Sequence, residues 1–263
     1  MVAKEITELT HKAAQAKTIR LFLDYDGTLA EFAPSPDMIL PDQEVIALLE
    51  RFVAMNGVLL AVISGRRLTH IQKLLPIRGL LLGGTYGIEM QLPNGELRTL
   101  LSFEQIRPTL EQLLPRWQGL IAGRKGFYLE DKGWSLALHG RFATDEEAET
   151  VIATARIQAQ ELHATANFKL LGGNRFLEFA PHAASKSKAV QWILKEMTPE
   201  DSLNIYIGDD DKDEEAFSTL LDAGGYAIRV AAAPTATRAQ FRLEGPPQVR
   251  AWLAELLTVR SRA

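Results

Sequence analysis

The chain has no cysteine among its 263 residues, which rules out disulfides, thiolate metal sites and cysteine nucleophiles together and suits a reducing compartment. It has no run of about 18 apolar residues, so no membrane-spanning helix is expected. The first twenty residues carry charges throughout and lack the apolar stretch of a signal peptide. Excess positive charge is missing too: 29 Lys and Arg stand against 33 Asp and Glu, a net charge of −4. Without a broad cationic field, nucleic acid and anionic membrane surfaces are poor partners. No repeat or low-complexity tract interrupts the chain. Hydrophobic residues make up 46%, enough to bury a core as one large domain or two modest ones. These features lead to the expectation of a soluble, cytoplasmic protein, acting as a monomer on a small molecule.

Short apolar runs recur at 20–24, 58–64, 79–83, 204–208 and 226–230, the first four ending in Asp, Ser or Gly. Runs of this length without polar alternation suit strands of a parallel sheet covered on both faces. Segments of helical periodicity lie between them, at 42–55, 68–75, 186–197 and 214–221, which is the alternation of a doubly wound α/β fold. The middle of the chain reads differently. Asn94-Gly95 between two apolar-containing runs is a hairpin signal. It is followed by a helix over 103–114, strands at 127–130 and 134–139, a helix over 145–162 with Thr144 as N-cap, and strands at 168–171 and 176–179. The order αββαββ predicts an α+β unit inserted at 99–181, with the core formed by 1–98 and 182–263 and both crossings acting as hinges.

The strongest chemical signal is Leu21-Phe22-Leu23-Asp24-Tyr25-Asp26-Gly27-Thr28-Leu29. A hydrophobic strand stops at Asp24, and open α/β sheets bind ligands just beyond the carboxyl ends of their strands. Asp26 follows two residues on, then Gly27, which allows a sharp turn, then the Thr28 hydroxyl. The plain alternative is an Asp-Gly turn whose side chains cap the backbone. Phosphoryl transfer fits the pattern better: a carboxylate attacking a phosphate dianion meets charge repulsion and needs a divalent cation at the same spot, and Mg²⁺ prefers hard oxygen ligands. Asp24 is then both nucleophile and metal ligand.

A second cluster, Gly208-Asp209-Asp210-Asp211-Lys212-Asp213-Glu214-Glu215, ends another apolar strand and opens a helix. Adjacent acids repel one another unless a cation or lysine sits among them. Asp211, Glu214 and Glu215 read as a solvated helix N-terminus. Asp209 reads as a metal ligand, and Asp213, one helical turn along, as a support for metal-bound water or a lysine. Ile63-Ser64-Gly65-Arg66 ends a third strand at a small hydroxyl near a helix start, a turn able to hold a phosphoryl oxygen, although a serine N-cap looks the same. In Ser185-Lys186-Ser187-Lys188 the spacing does not choose which lysine points inward; solvated lysines are the commoner case.

These four motifs, in this order, resemble the haloacid-dehalogenase-type phosphatases. The longer stretches DYDGTLAEFAPSPDMILPD, VISGRRL, GLLLGGTYGIEM, YLEDKGWSLALHGR, FLEFAP and GDDDKDEEAF resemble the trehalose-6-phosphate phosphatase branch, from about residue 20 to residue 230. The resemblance implies a Rossmann-like core with an inserted α/β cap. It also implies that Asp24 is the nucleophile, Asp26 the general acid/base, and that Mg²⁺ is held by Asp24, the Asp26 backbone carbonyl and Asp209. Ser64 and Lys186 match the phosphoryl-binding hydroxyl and lysine, with Gly65 and Arg66 beside them at the substrate, and Asp213 matches the supporting acid. In the cap, Glu130, Lys132, His139, Arg141 and Glu178 fall on the family's sugar-binding pattern, against the alternative of a polar strand face.

The sequence departs from that branch at Thr85-Tyr86-Gly87, where His-Gly is usual. Gly140 stands in place of tyrosine, Ser187 in place of glycine and Lys212 in place of threonine. The expected activity is therefore Mg²⁺-dependent hydrolysis of a sugar phosphate, trehalose 6-phosphate first and another phosphorylated glycoside second. A phosphomutase is disfavoured because the span from Asp24 to Ser64 leaves no room for a small helical cap. A non-catalytic sensor is disfavoured because the catalytic aspartates are intact.

Overall fold

The computed structural model describes residues 2–32, 39–163, 167–173, 175–197, 199 and 201–262. Residues 33–38, within the first of the quoted stretches, lie outside these. In chain order the elements are α1 (Val2–Gln15), β1 (Ile19–Leu23), α2 (Gln43–Val53), β2 (Val58–Ile63), α3 (Leu68–Leu74), β3 (Leu81–Gly84), β4 (Glu89–Gln91) and β5 (Leu97–Thr99). Next come α4 (Phe103–Ile121), β6 (Tyr128–Asp131), β7 (Leu136–His139), α5 (Asp145–His163), β8 (Phe168–Gly173) and β9 (Phe176–Pro181). The chain returns through α6 (Lys186–Met197), β10 (Leu203–Gly208), α7 (Asp211–Asp222), β11 (Tyr226–Val230), β12 (Phe241–Leu243) and α8 (Pro246–Arg260). Two units result, Met1–Arg98 with Ser185–Ala263, and Thr99–Ala184.

In the larger unit the unalternating apolar runs become the strands of an eight-stranded sheet of order β12-β11-β10-β1-β2-β3-β4-β5. It is parallel from β12 to β3, and β4 returns antiparallel on β3. Every residue of β1 is buried, as expected of a central strand covered on both faces. The chain leaves β1 on one side to β2 and later comes back on the other to β10, so the strand order reverses at β1. That reversal opens a crevice at the carboxyl ends of β10, β1 and β2.

Helices α1 and α8 of this unit were not among the helical segments expected. Their mutual anchorage spans 242 residues: Trp252 Nε1 donates to Thr10 Oγ1 at 2.9 Å. The Arg260 guanidinium donates to the carbonyls of Ala13 at 2.9 Å and Ala16 at 2.6 Å, serving the open C-terminal end of α1. Among the described residues no helix is long and apolar enough to cross a membrane.

The smaller unit is a four-stranded antiparallel sheet of order β6-β7-β9-β8 with α4 and α5. It takes in three residues beyond 181, tied to its sheet where His182 N donates to Asn167 O and Ala184 N to Pro181 O. Helix α4 is longer than the 103–114 expected and runs through Pro108 and Pro115. A proline inside a helix costs about 3 kcal/mol. The offset is burial of Leu110, Leu113 and Trp117 on one face, with Trp117 Nε1 donating to Ala155 O of α5 at 3.1 Å. Cross-strand register sorts the sheet into two faces. Leu129, Asp131, Leu136, Leu138, Leu177 and Phe179 share one, and Asp131 pairs with Arg107 of α4 at 2.8 Å, which identifies it as the helix-covered face. Tyr128, Glu130, Ala137, His139, Phe176 and Glu178 share the other.

Trp117→Ala empties the largest fully buried side chain and should cost about 3–5 kcal/mol. Chemical denaturation followed by circular dichroism measures this. A loss under about 1 kcal/mol would mean that α4 does not depend on this side chain.

Candidate active site

Three motifs meet because their strands are neighbours. Leu23 is in register with Ile207 on one side and Val62 on the other, so Asp24, Asp209 and Ser64 leave the sheet side by side. Gly27, at φ +80, makes the turn after Asp26, and a Cβ there would lie 2.3 Å from Asp209 Oδ2. Only glycine meets both the backbone conformation and the approach of that carboxylate. Thr28 Oγ1 donates to Asp209 Oδ1 at 3.3 Å.

Lys186 opens α6 and is buried, whereas Lys188 is exposed, which resolves the choice between them. Its Nζ lies 2.7 Å from Asp24 Oδ1, 2.7 Å from Asp213 Oδ1 and 3.9 Å from Asp210 Oδ1. Asp213 is buried and receives four donors: Lys186 Nζ and the Tyr206 hydroxyl at Oδ1, and the backbone N–H groups of Asp209 and Asp210 at Oδ2. A Cβ at Gly208 would sit 2.3 Å from the Asp213 carboxyl carbon, so the glycine makes room for this acid. Tyr206 has no local signal in the sequence; its hydroxyl reaches Asp213 only because β10 and α7 are adjacent.

Asp210 is the N-cap of α7. It accepts from Lys212 N and Asp213 N while the Asp213 side chain accepts from Asp210 N, a reciprocal capping box legible in the spacing Asp210-x-x-Asp213. Glu214 and Glu215 are not simply solvated, as their helix position had suggested. Glu214 accepts from Arg229, Thr237 Oγ1 and Arg238 N, and Glu215 from Ser185 Oγ. These partners are distant in sequence and invisible to a local reading.

Burial, joined by the charges of Asp209 and Asp210, pushes Asp24 up to about 8 even though Lys186 opposes it. Burial with Asp213 and Asp210 raises Asp209 to about 6. Burial works against Lys186 as well, yet Asp213 and Asp24 outweigh it and hold the ammonium well above its ordinary value. For Asp210, burial is outweighed by Lys186 and Lys212, which bring it to about 2.

Oxygens of Asp24, Asp209 and Asp213 lie within 4.8 Å of one another. Since both Asp213 oxygens already accept two bonds each, Asp24 and Asp209 are the pair that would face a cation. An all-oxygen set of this kind suits Mg²⁺.

The Asp26 side chain is turned away from this pair, in a two-point ion pair with Arg66: Nε to Oδ2 at 2.7 Å and the terminal nitrogen to Oδ1 at 2.6 Å. Ser64 Oγ accepts from Arg66 N at 3.1 Å, so Arg66 joins the first and second motifs.

In the smaller unit, Glu130, His139 and Glu178 share the sheet face opposite the helices. His139 Nε2 is 3.3 Å from Glu130 Oε2, and Lys132 Nζ and Ser135 Oγ donate to Glu178 Oε1 at 3.2 and 2.7 Å. Arg141 follows β7 in a turn and is exposed. Sequence reasoning missed Tyr128 and Phe176, whose ring centroids lie 5.6 and 5.1 Å from that of His139. The period-2 spacing of Tyr128 with Glu130 and of Phe176 with Glu178 was the available signal.

Three of the departures from the resembled pattern have identifiable surroundings. A Cβ at Gly140 would lie 3.0 Å from the Phe127 ring. Ser187 Oγ is 2.7 Å from Thr219 Oγ1 of α7. Lys212 Nζ lies 5.1 Å from the centroid of the Tyr86 ring, so two departures meet each other.

Among known proteins, the Escherichia coli trehalose-6-phosphate phosphatase is 29% identical over 237 residues, covering 90% of this chain and 86% of its own. The solved C-terminal domain of the Candida albicans trehalose-6-phosphate phosphatase superposes with a TM-score of 0.82 at 20% identity, covering 96% of this chain and 97% of that one. A Plasmodium falciparum IMP-nucleotidase matches at a TM-score of 0.55 and 10% identity, covering 95% of this chain and 70% of that one. The fold alone therefore does not choose the phosphate ester. The trehalose-phosphatase family model matches residues 22–247, a span that holds all four motifs and the smaller unit, and the chain belongs to that family of phosphoric monoester hydrolases, within the haloacid-dehalogenase superfamily.

Proposed function

We propose that this protein hydrolyses trehalose 6-phosphate to trehalose and phosphate through an aspartyl-phosphate on Asp24, with Mg²⁺ as cofactor. The observation that carries the chemistry is the buried Asp24–Lys186 pair facing Asp209 at adjacent strand ends. Family membership, and the substrate named for the E. coli relative, support the choice of sugar.

Asp24 attacks phosphorus in line as the bond to the sugar oxygen breaks, and that oxygen takes a proton from Asp26. Water then attacks the acyl phosphate, its proton passes to Asp26, and the bond from phosphorus to Asp24 breaks. The Lys186 ammonium neutralises charge on the phosphoryl oxygens and the Ser64 hydroxyl donates a hydrogen bond to them. Asp213, with its four donors, holds the Lys186 ammonium in place. Asp24, Asp209 and the Asp26 carbonyl would hold Mg²⁺, which when bound would supply charge neutralisation at the phosphoryl group. Asp26 has to give up one of its two bonds to Arg66 before it reaches the ester oxygen, so Arg66 governs when the acid is available. The polar face of the smaller sheet, with Glu130, Lys132, His139, Arg141 and Glu178, takes the sugar hydroxyls.

A phosphate-release screen over phosphorylated sugars and glycosides with Mg²⁺ tests the reading. Trehalose 6-phosphate should give the highest efficiency; its survival beside turnover of a different glycoside phosphate would overturn the substrate. Asp24→Asn should reduce turnover to below about one part in 10³, since an amide neither attacks phosphorus nor carries charge to the metal. Activity near wild type would remove Asp24 as nucleophile. The metal has its own readout. At pH 6 protons occupy Asp24, raised to about 8, and partly occupy Asp209, raised to about 6, whereas at pH 8 both are more fully ionised. The folded state thus binds more protons than the unfolded chain between about pH 4 and pH 8, so metal-free stability falls as pH rises through that window. Mg²⁺ should accordingly raise the unfolding temperature more at pH 8 than at pH 6. Equal increments at the two pH values would sink the ligand assignment.

A further inference from the structure

Charged groups alternate outward from the nucleophile. Asp24 Oδ1 is 2.7 Å from Lys186 Nζ, Lys186 Nζ is 3.9 Å from Asp210 Oδ1, and Asp210 Oδ2 is 3.6 Å from Lys212 Nζ. The series divides into a buried inner half, Asp24 at 6% and Lys186 at 2% exposed, and a half-exposed outer half, Asp210 at 38% and Lys212 at 32%. Lys186 therefore serves the buried phosphoryl centre, and Lys212 stands at its rim, in the first turn of α7. Its ammonium lies beside the Asp210 carboxylate and the Tyr86 ring, whose centroid is 5.1 Å away.

Tyr86 is itself held in an unusual way. Thr85 at φ 48 and Tyr86 at φ 61 are the positive-φ residues other than glycine among those described. Thr85 Oγ1 is buried with no hydrogen-bond partner. The turn is pinned to the Ser64 motif, with Thr85 N donating to Arg66 O at 2.7 Å and Tyr86 N to Ser64 O at 2.8 Å. A Cβ on Gly65 would lie 2.9 Å from the Tyr86 ring, so the ring requires glycine at that position. Two left-handed residues and an unsatisfied hydroxyl do not improve local stability, and strain of this kind collects at functional sites.

Resting on the reading of the preceding section, we propose that Lys212 binds the glycosyl group that carries the phosphate, donating from its ammonium to sugar hydroxyls, and that Tyr86 is the positioning residue that holds it there. In-line attack by Asp24 sends the leaving oxygen away from Asp24, and Lys212 is the cation at the half-exposed outer end of the series of charges that starts there. Asp210 already balances the charge of Lys212, and Asp209 lies next to it in the chain, so a second anion on the leaving group is disfavoured. Neutral hydroxyls suit an ammonium with three N–H donors.

The test compares trehalose 6-phosphate with 4-nitrophenyl phosphate, which has no sugar, in wild type and in Lys212→Met, Tyr86→Leu and Tyr86→Phe. The efficiency ratio, glycoside over aryl ester, should fall about tenfold in Lys212→Met and in Tyr86→Leu, chiefly through KM for the glycoside. Tyr86→Phe should keep the ratio within about twofold of wild type, because the ring face is retained. Combining Lys212→Met with Tyr86→Leu should lower the ratio no further than either alone, since one acts through the other. Equal losses on both substrates, or a loss confined to kcat, overturn the proposal. Should Tyr86→Leu fail to fold by circular dichroism, Lys212→Met and Lys212→Thr decide the matter, because position 212 is partly exposed. A wild type that hydrolyses the aryl ester and leaves trehalose 6-phosphate intact overturns the substrate reading and this proposal together. Wild-type turnover of both with unchanged variant ratios overturns this proposal alone.

Discussion

A single buried ammonium organises the larger unit. Lys186 is withdrawn from water with carboxylates on two sides, and an unpaired charge there would be costly. Its position ties three elements together: Asp24 from the end of β1, Asp213 from α7 and the lysine itself from the start of α6. Asp213 extends the constraint, since its remaining acceptor capacity is filled by Tyr206 and by the N–H groups of the turn that carries Asp209 and Asp210. Gly208 belongs to the same constraint, because any side chain there would strike the Asp213 carboxyl group. Truncating one partner would leave the others buried and unmatched, so these residues work as one unit.

Around that cluster, charges are sorted by depth. The inner acids are pushed toward protonation by burial, Asp24 further by the charges of Asp209 and Asp210, and Asp209 by those of Asp213 and Asp210. Asp26 is separated from them by its two-point pair with Arg66. Two carboxylates two residues apart thus have different surroundings, as a division between nucleophile and proton carrier requires. Asp210 and Lys212 sit further out, where the helix cap and the Tyr86 ring fix them.

The smaller sheet solves a different problem with the same economy. Strand pleating gives each strand one face for α4 and α5 and one for polar and aromatic groups, so the register that buries Leu138 and Phe179 also aligns Glu130, His139 and Glu178. Of the departures from the resembled family pattern, Gly140 lies against the Phe127 ring, Ser187 pairs with Thr219, and Tyr86 meets Lys212.

Much of the fold was legible in the sequence, because apolar runs of strand length, helical periodicity and Asn94-Gly95 act over short distances. The four motifs were legible for the same reason: Asp24, Ser64, Lys186 and Asp209 each sit at the end of a strand or the start of a helix, where local pattern changes. Helices α1 and α8 were not, since what holds them is Trp252 on Thr10 and Arg260 on the carbonyls of α1, contacts between the two ends of the chain. Nor was the full length of α4, where burial of Trp117 overrides two prolines. The choice of Lys186 over Lys188, open to spacing and made by the family resemblance, agrees with the burial of Lys186. The pairing of Asp26 with Arg66, the convergence of Tyr206 on Asp213 and the meeting of Tyr86 with Lys212 were decided by tertiary structure alone. Sequence spacing specifies which groups are available on each element, but a charge partner, a ring face or a buried donor is chosen by which elements the sheet order brings side by side.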